Sequence, residues 1–281
     1  GDWEAAEENW GRAVGHENTN IEWLDGWANA LGHIVPSTET DYRDKFNQFR
    51  SIKRQVAVTA RTDVERTGEY LNLYFESFSR LGGGSRPAVE NFANEVAFML
   101  AYYPEGGPLQ EQRDRLRRYR GLAWAQLAGT QSTLTEDEIE AAKDDLRAAL
   151  AVEPGDGRAM RALVRLLDTE KARAETNDDR QEATRIIGEQ RDAVNAVLAV
   201  DPENLWAQIT MLDIEAEPFT RLTGDAREAE RVRLYDQLDA VLRNAEAKLG
   251  TLTGGIIDRL TILEGLLDPT GMTPRSIALL E

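Results

Sequence analysis

TEDEIEAAKDDLRAALAVEPGDGRAMRALVRLL, residues 135–167, decides the fold. Thr135 with Glu138 three residues on makes a capping box, in which each side chain satisfies a backbone N–H of the other. Glu136 and Asp137 add negative charge at the end of the helix dipole that favours it. Ile139, Ala142, Leu146, Ala149 and Leu150 then recur at threes and fours, one apolar stripe of a helix. Pro154, Gly155 and Gly157 stop that helix. Met160, Leu163, Val164 and Leu167 line one face of a second. Read on to Glu217, the pattern is helix, turn, helix, long helix, turn, helix, with Pro154 and Pro202 at the main turns.

The spacing resembles the tetratricopeptide family, whose repeats are helix hairpins of about 34 residues with a signature spacing in the first helix and a Pro at the exit. Ala142, Leu146, Ala149 and Pro154 match the second helix and its exit. Met160, Leu163, Val164 and Leu167 match the spacing of the next leading helix, though not its residue types. Near the N-terminus Ala6, Trp10 and Ala13 precede Leu24, Trp27, Ala28 and Leu31, and the step from Ala6 to Leu24 equals that from Ala142 to Met160. Around Pro202 the match is weaker: Val194 and Val197 precede the turn, Leu205, Met211 and Leu212 follow it, and Gln190 and Glu215 break the pattern. The resemblance implies a right-handed α-solenoid of stacked hairpins, some with elongated helices. Residues 1–281 are expected to form a single such domain, with a soft sub-boundary near 104–108 and about thirteen helices.

Outward from the centre, Thr38 is expected to cap a helix through Phe46, Phe49, Ile52 and Val56, after a break at Pro36 and Ser37. Val64, Thr67, Gly68 and Leu71 open another. Ser85 is expected to cap a helix with Pro87 early in it, and Leu109 to Ala128 reads as a long, arginine-rich helix. Asp225 and Glu228 read as a capping box for a helix through Leu234, Leu238, Val241, Leu242, Ala245 and Leu249, closed by Gly250. Thr273 and Pro274 begin the last one. Trp3 to Val14 reads as half of a hairpin and Ile277 to Glu281 as a helix cut short, so the chain is expected to be a piece of a longer protein.

Composition excludes several classes. A net charge of −17 opposes nucleic acid and anionic lipid alike. No cysteine is present, so disulfides and thiolate metal sites are out. No apolar run is long enough to span a membrane, so no direct membrane insertion is expected. Lysine occurs only at Lys45, Lys53, Lys143, Lys171 and Lys248, an arginine bias of the kind a GC-rich or salt-adapted bacterial genome produces.

Gly82-Gly83-Gly84-Ser85 has neither the preceding strand nor the following Lys-Ser/Thr of a phosphate loop, so it reads as a turn. No cofactor is expected. His16 and His33, the only histidines, lack metal-ligand spacing. Asp144-Asp145 and Asp178-Asp179 read as solvated or capping groups. An alternative reading, a helical-toroid carbohydrate-active enzyme, needs two facing carboxylates beside aromatic platforms, but Trp10 and Trp27 occupy core positions. A structural spacer or oligomerisation arm is a further alternative.

The sharper signal is arginine. Arg158, Arg161 and Arg165 share one helix face, roughly opposite the apolar one. In the tetratricopeptide family such leading-helix positions line a concave groove that binds peptides. The resemblance implies groove positions at Glu22, Asp25 and Asn29 near the N-terminus and at Trp206, Ile209 and Asp213 after Pro202. Arg117 and Arg120 extend the basic patch. The expected function is therefore a non-catalytic scaffold, and the expected partner is a protein or peptide segment of acidic character, since Arg grips carboxylates bidentately. The competing reading is that these charges find acidic neighbours within the fold. The Lys/Asn set by which some family members clamp a C-terminal carboxylate is absent, so that specificity is not carried over.

Overall fold

The computed structural model describes residues 2–34, 38–80, 85–128, 134–248 and 254–267. Every regular element among them is helical. The chain divides into two compact units, Gly1–Val152 and Glu153–Glu281.

The first unit holds α1 (Trp3–His16), α2 (Ile21–His33), α3 (Glu39–Thr59), α4 (Val64–Arg80), α5 (Arg86–Leu100), α6 (Gln110–Ala125) and α7 (Glu136–Val152). Each packs on the next in the chain, and α4 also reaches α6. The turn at Pro104–Pro108 lies inside this unit. The caps are sequence-coded. Asp2, Asn20 and Thr38 accept the first free N–H groups of α1, α2 and α3. Asp63, not anticipated, caps α4 through Glu65 and Arg66. The capping box at α7 forms as read: Thr135 N–H donates to Glu138 at 2.7 Å and Glu138 N–H to the Thr135 hydroxyl at 3.2 Å. Ser85 stands at the N-cap of α5, but its hydroxyl makes no cap bond.

Two close approaches hold this unit's hairpins. Trp10 lies over Gly26, where a Cβ would sit 2.6 Å from the indole, and Trp27 lies over Gly11. The arrangement is reciprocal, and Trp27 adds a hydrogen bond from its indole N–H to Glu7 at 3.0 Å. Both tryptophans are thus packing groups, as their spacing implied. Between α6 and α7, Gly121 admits Leu146, whose Cγ would lie 2.6 Å from an added Cβ. Leu146 and Ala142 are fully buried there.

The second unit holds α8 (Gly157–Thr176), α9 (Arg180–Val200), α10 (Leu205–Ala216), a short 3₁₀ turn at Pro218–Arg221, α11 (Gly224–Ala247) and α12 (Gly254–Leu267). Asp156, Asp179 and Asn204 cap α8, α9 and α10. Here too each helix packs on its successor. In addition α8 touches α10 and α10 touches α12, with no comparable packing between α9 and α11 among the described residues. The apolar core of α10–α12 centres on Phe219, Leu234, Leu238 and Leu260.

Three details differ from the expectations, and a fourth accounts for a break in the apolar pattern already noted. The α11 helix begins at Gly224 with Thr223 before it, so Asp225 is already inside the first turn and Glu228 pairs with Arg231 instead of closing a capping box. Ile209 is 1% exposed and belongs to the core, not to a groove. Asp145 is neither solvated nor a cap, because its buried carboxylate is taken up by Arg117 and Arg120 of α6. Gln190, which breaks the apolar pattern of α9, is buried and donates to Asp168 at 2.7 Å, so tertiary hydrogen bonding replaces the missing apolar side chain. The expectations at Pro36, Ser37, Gly82–Gly84, Leu249, Gly250, Thr273, Pro274 and Ile277–Glu281 lie outside the described residues.

Candidate functional site

The expected groove residues fall into separate groups. In the first unit, Asp25 pairs with Arg66 of α4 at 2.8 Å and, more loosely, with Lys53 of α3. Asn29 is exposed, and its carbonyl contacts the His33 ring at 2.8 Å. Glu22 is exposed beside them. Arg117 and Arg120 both turn onto Asp145 of α7. Arg117 Nε reaches one carboxylate oxygen at 2.7 Å, and Arg120 binds both oxygens at 2.5 and 2.8 Å. The Asp145 side chain is 1% exposed. A buried carboxylate needs such partners, because its desolvation is costly unless charge-assisted bonds replace water. These two arginines therefore hold α6 to α7.

The second unit is different. Arg158, Arg161 and Arg165 are all exposed along α8. Arg161 lies over the ring of Trp206 on α10, its Cζ 3.4 Å from the ring centroid. Among the described residues no carboxylate comes within ion-pair reach of Arg161. Burial of its planar end, with repulsion from Arg158 and Arg165, holds its pKa below the ordinary arginine value. It stays a cation at any physiological pH.

Further along the same two helices lies a cleft of about 330 Å³. Asp213, an expected groove residue, is in it, bound to Arg259 of α12 at 2.8 and 3.0 Å. Lys171 donates to Glu217 at 2.5 Å and stands 3.5 Å from Asp168. Burial raises the Asp213 pKa above the usual carboxylate value, and Arg259 only partly offsets it. Burial works to lower the Lys171 pKa, but the bond to Glu217 and the nearby Asp168 outweigh it and raise the net value. Ile262 and Leu266 of α12 expose apolar surface at the cleft's edge.

Asp168, Lys171, Gln190, Glu217 and Arg259 were not among the expected site residues. For three of them a signal existed. Arg161, Arg165, Asp168 and Lys171 follow one another at threes and fours along α8, and Trp206, Thr210, Asp213 and Glu217 do so along α10. Extending each period by one or two turns finds them. Arg259 and Gln190 arrive from other helices and carry no local signal.

What the arrangement offers chemically is a fixed cation on an aromatic face, then a polar cleft with an apolar lip. Among the described residues no group of three His, Cys, Asp or Glu side chains is placed to hold a metal ion. No described helix is long and apolar enough to cross a membrane. Comparison with protein-family models and with curated proteins returned no match to this chain.

Proposed function

We propose that the chain is a non-catalytic interaction scaffold, built in each unit from stacked hairpins in the manner of a right-handed, tetratricopeptide-like solenoid. Its leading helices offer a groove to an acidic protein or peptide segment. The packing of α8 on α10 and α10 on α12 supports the solenoid reading, because in a curved stack one row of helices is the closer, inner row. Arg161, Trp206 and the cleft all belong to that row.

The observation that carries the proposal is Arg161. A chain of net charge −17 has acids to spare, yet this cation has none within ion-pair reach among the described residues and is fixed on an indole instead. Stacking leaves the guanidinium edge, with its N–H fork, available to a ligand carboxylate. It also lowers the entropy lost on binding, since the side chain is already positioned.

Calorimetric titration with an acidic peptide tests this. The double variant Arg161→Ala, Arg165→Ala should bind about tenfold or more weakly, in line with about 1–3 kcal/mol for each charge-assisted bond lost. Binding should weaken with salt, since exposed charges are screened over about 8 Å at physiological ionic strength. Stability lost with binding unaffected would make these arginines internal struts and end the proposal.

A further inference from the structure

The face that begins at Arg161 and Trp206 leads into the cleft. Asp168 and Asp213 each follow two helical turns later on their own helices, about 10 Å further along. Three carboxylates line the cleft, Asp168, Asp213 and Glu217, against two cations, Lys171 and Arg259. Both cations are engaged already: Lys171 with Glu217 and Asp168, Arg259 with Asp213. Arg221, outside the lining, is shared between Glu217 and Glu175, so counting Arg221 with Glu175 leaves the balance unchanged. One negative charge remains over.

Asp213 is pushed towards its neutral form by burial, and an added cation would relieve it. An added anion would raise the surplus in the same confined space. The floor is polar and fixed, with buried Gln190 holding Asp168 at 2.7 Å. The lip is apolar, with Ile262 57% exposed. An aliphatic stem ending in a cation satisfies both surfaces, as Lys and Arg side chains do.

We infer that this cleft receives a lysine or arginine side chain of the same segment whose acidic group meets Arg161 on Trp206. The inference rests on the groove proposed above and sharpens it into a spacing rule. Ten ångströms of groove correspond to about three residues of extended chain, so acid and base stand about three positions apart in the ligand. It also sets the direction of the segment, from α8's arginines towards α12.

The test uses the ¹⁵N-labelled chain and three blocked peptides on an alanine–serine background: Glu and Arg three apart, Glu with Gln in place of Arg, and Gln with Arg. The Trp206 indole N–H reports the first subsite and the Gln190 side-chain amide the second. The Glu/Arg peptide should shift both signals and bind about tenfold more tightly than either single-charge peptide. That advantage should vanish in Asp213→Asn and in Glu217→Gln, each checked by its melting temperature. If the peptide lacking Arg binds equally well and Gln190 stays unmoved while Trp206 responds, the cleft inference falls and the groove stands. If the Gln/Arg peptide shifts Gln190 while no peptide moves Trp206, the groove falls and the cation site stands. No response at either signal overturns both.

Discussion

Arg117 and Arg120 on α6 and Arg158 and Arg161 on α8 are the same local pattern, two arginines three residues apart on one helix face. Their fates differ because of what the neighbouring helix presents. Helix α7 offers α6 a carboxylate, Asp145, and the close approach at Gly121 brings it within reach of both guanidinium groups. Helix α10 offers α8 an indole, and the Arg161 charge is positioned without being neutralised by an acid. The first pair ties two helices together; in the second, Arg161 stays at the surface on an aromatic face. A row of arginines in a sequence therefore says nothing about binding until the facing helix is known.

The largest effect expected follows from the first pair. Arg117→Ala with Arg120→Ala strands the Asp145 carboxylate in the interior and should cost about 3–5 kcal/mol, read from urea denaturation followed by circular dichroism. Adding Asp145→Leu should restore much of it, because removing the stranded charge removes the penalty. Loss of less than about 1 kcal/mol would break the comparison, since exposed pairs behave that way.

Gly121→Ala attacks the geometry instead of the charges. Its Cβ would meet Leu146 at 2.6 Å, so α6 and α7 must part, and overpacking of this kind costs about 1–3 kcal/mol. Calorimetric melting should show it. An unchanged melting temperature would mean that the approach is not needed to seat the arginines.

Arg161→Ala should change stability by less than about 1 kcal/mol, the value of an exposed cation–π contact. In the same denaturant series the α6 pair should show the larger loss by several kcal/mol, about 3–5 against less than about 1.

The smallest effect is a pH dependence of opposite sign in the two units. Arg86, with the backbone N–H of Thr135, holds the Glu138 pKa down at about 2. A depressed carboxylate pKa contributes stability that is present above the unfolded value and lost as pH falls towards the folded one. The advantage of the parent over Glu138→Gln should thus shrink between about pH 5 and about pH 2. Asp213 has a raised pKa, so its ionised form costs stability and acidification relieves the cost. The parent should gain on Asp213→Asn as pH falls. Parallel shifts in both variants would contradict one of the two environments.

The helices were legible because their signals are local: the 3.6-residue stripes through Ile139, Leu146 and Leu163, and the caps at Thr38 and Thr135. The packing roles of Trp10 and Trp27 were legible for the same reason, though both are half-buried and not core residues. Asp145 was not, because a carboxylate beside Asp144 reads as solvated until α6 is placed on it. Asp225 misled because any acid early in a helix imitates a cap, and only the backbone shows that α11 starts at Gly224. At the candidate site, Arg161 and Trp206 were both named from the sequence, but their contact joins two helices separated by α9. The cleft needed α12 as well.

The reciprocal seating of Trp10 on Gly26 and Trp27 on Gly11 has an optical consequence. Four of the six tryptophans, Trp3, Trp10, Trp23 and Trp27, belong to α1 and α2, and only Trp124 and Trp206 lie elsewhere. Intrinsic fluorescence will therefore be dominated by the first hairpin. An emission trace during unfolding will follow the parting of α1 from α2, whatever the second unit is doing. Trp124→Phe and Trp206→Phe would leave a chain whose entire indole emission watches one helix pair.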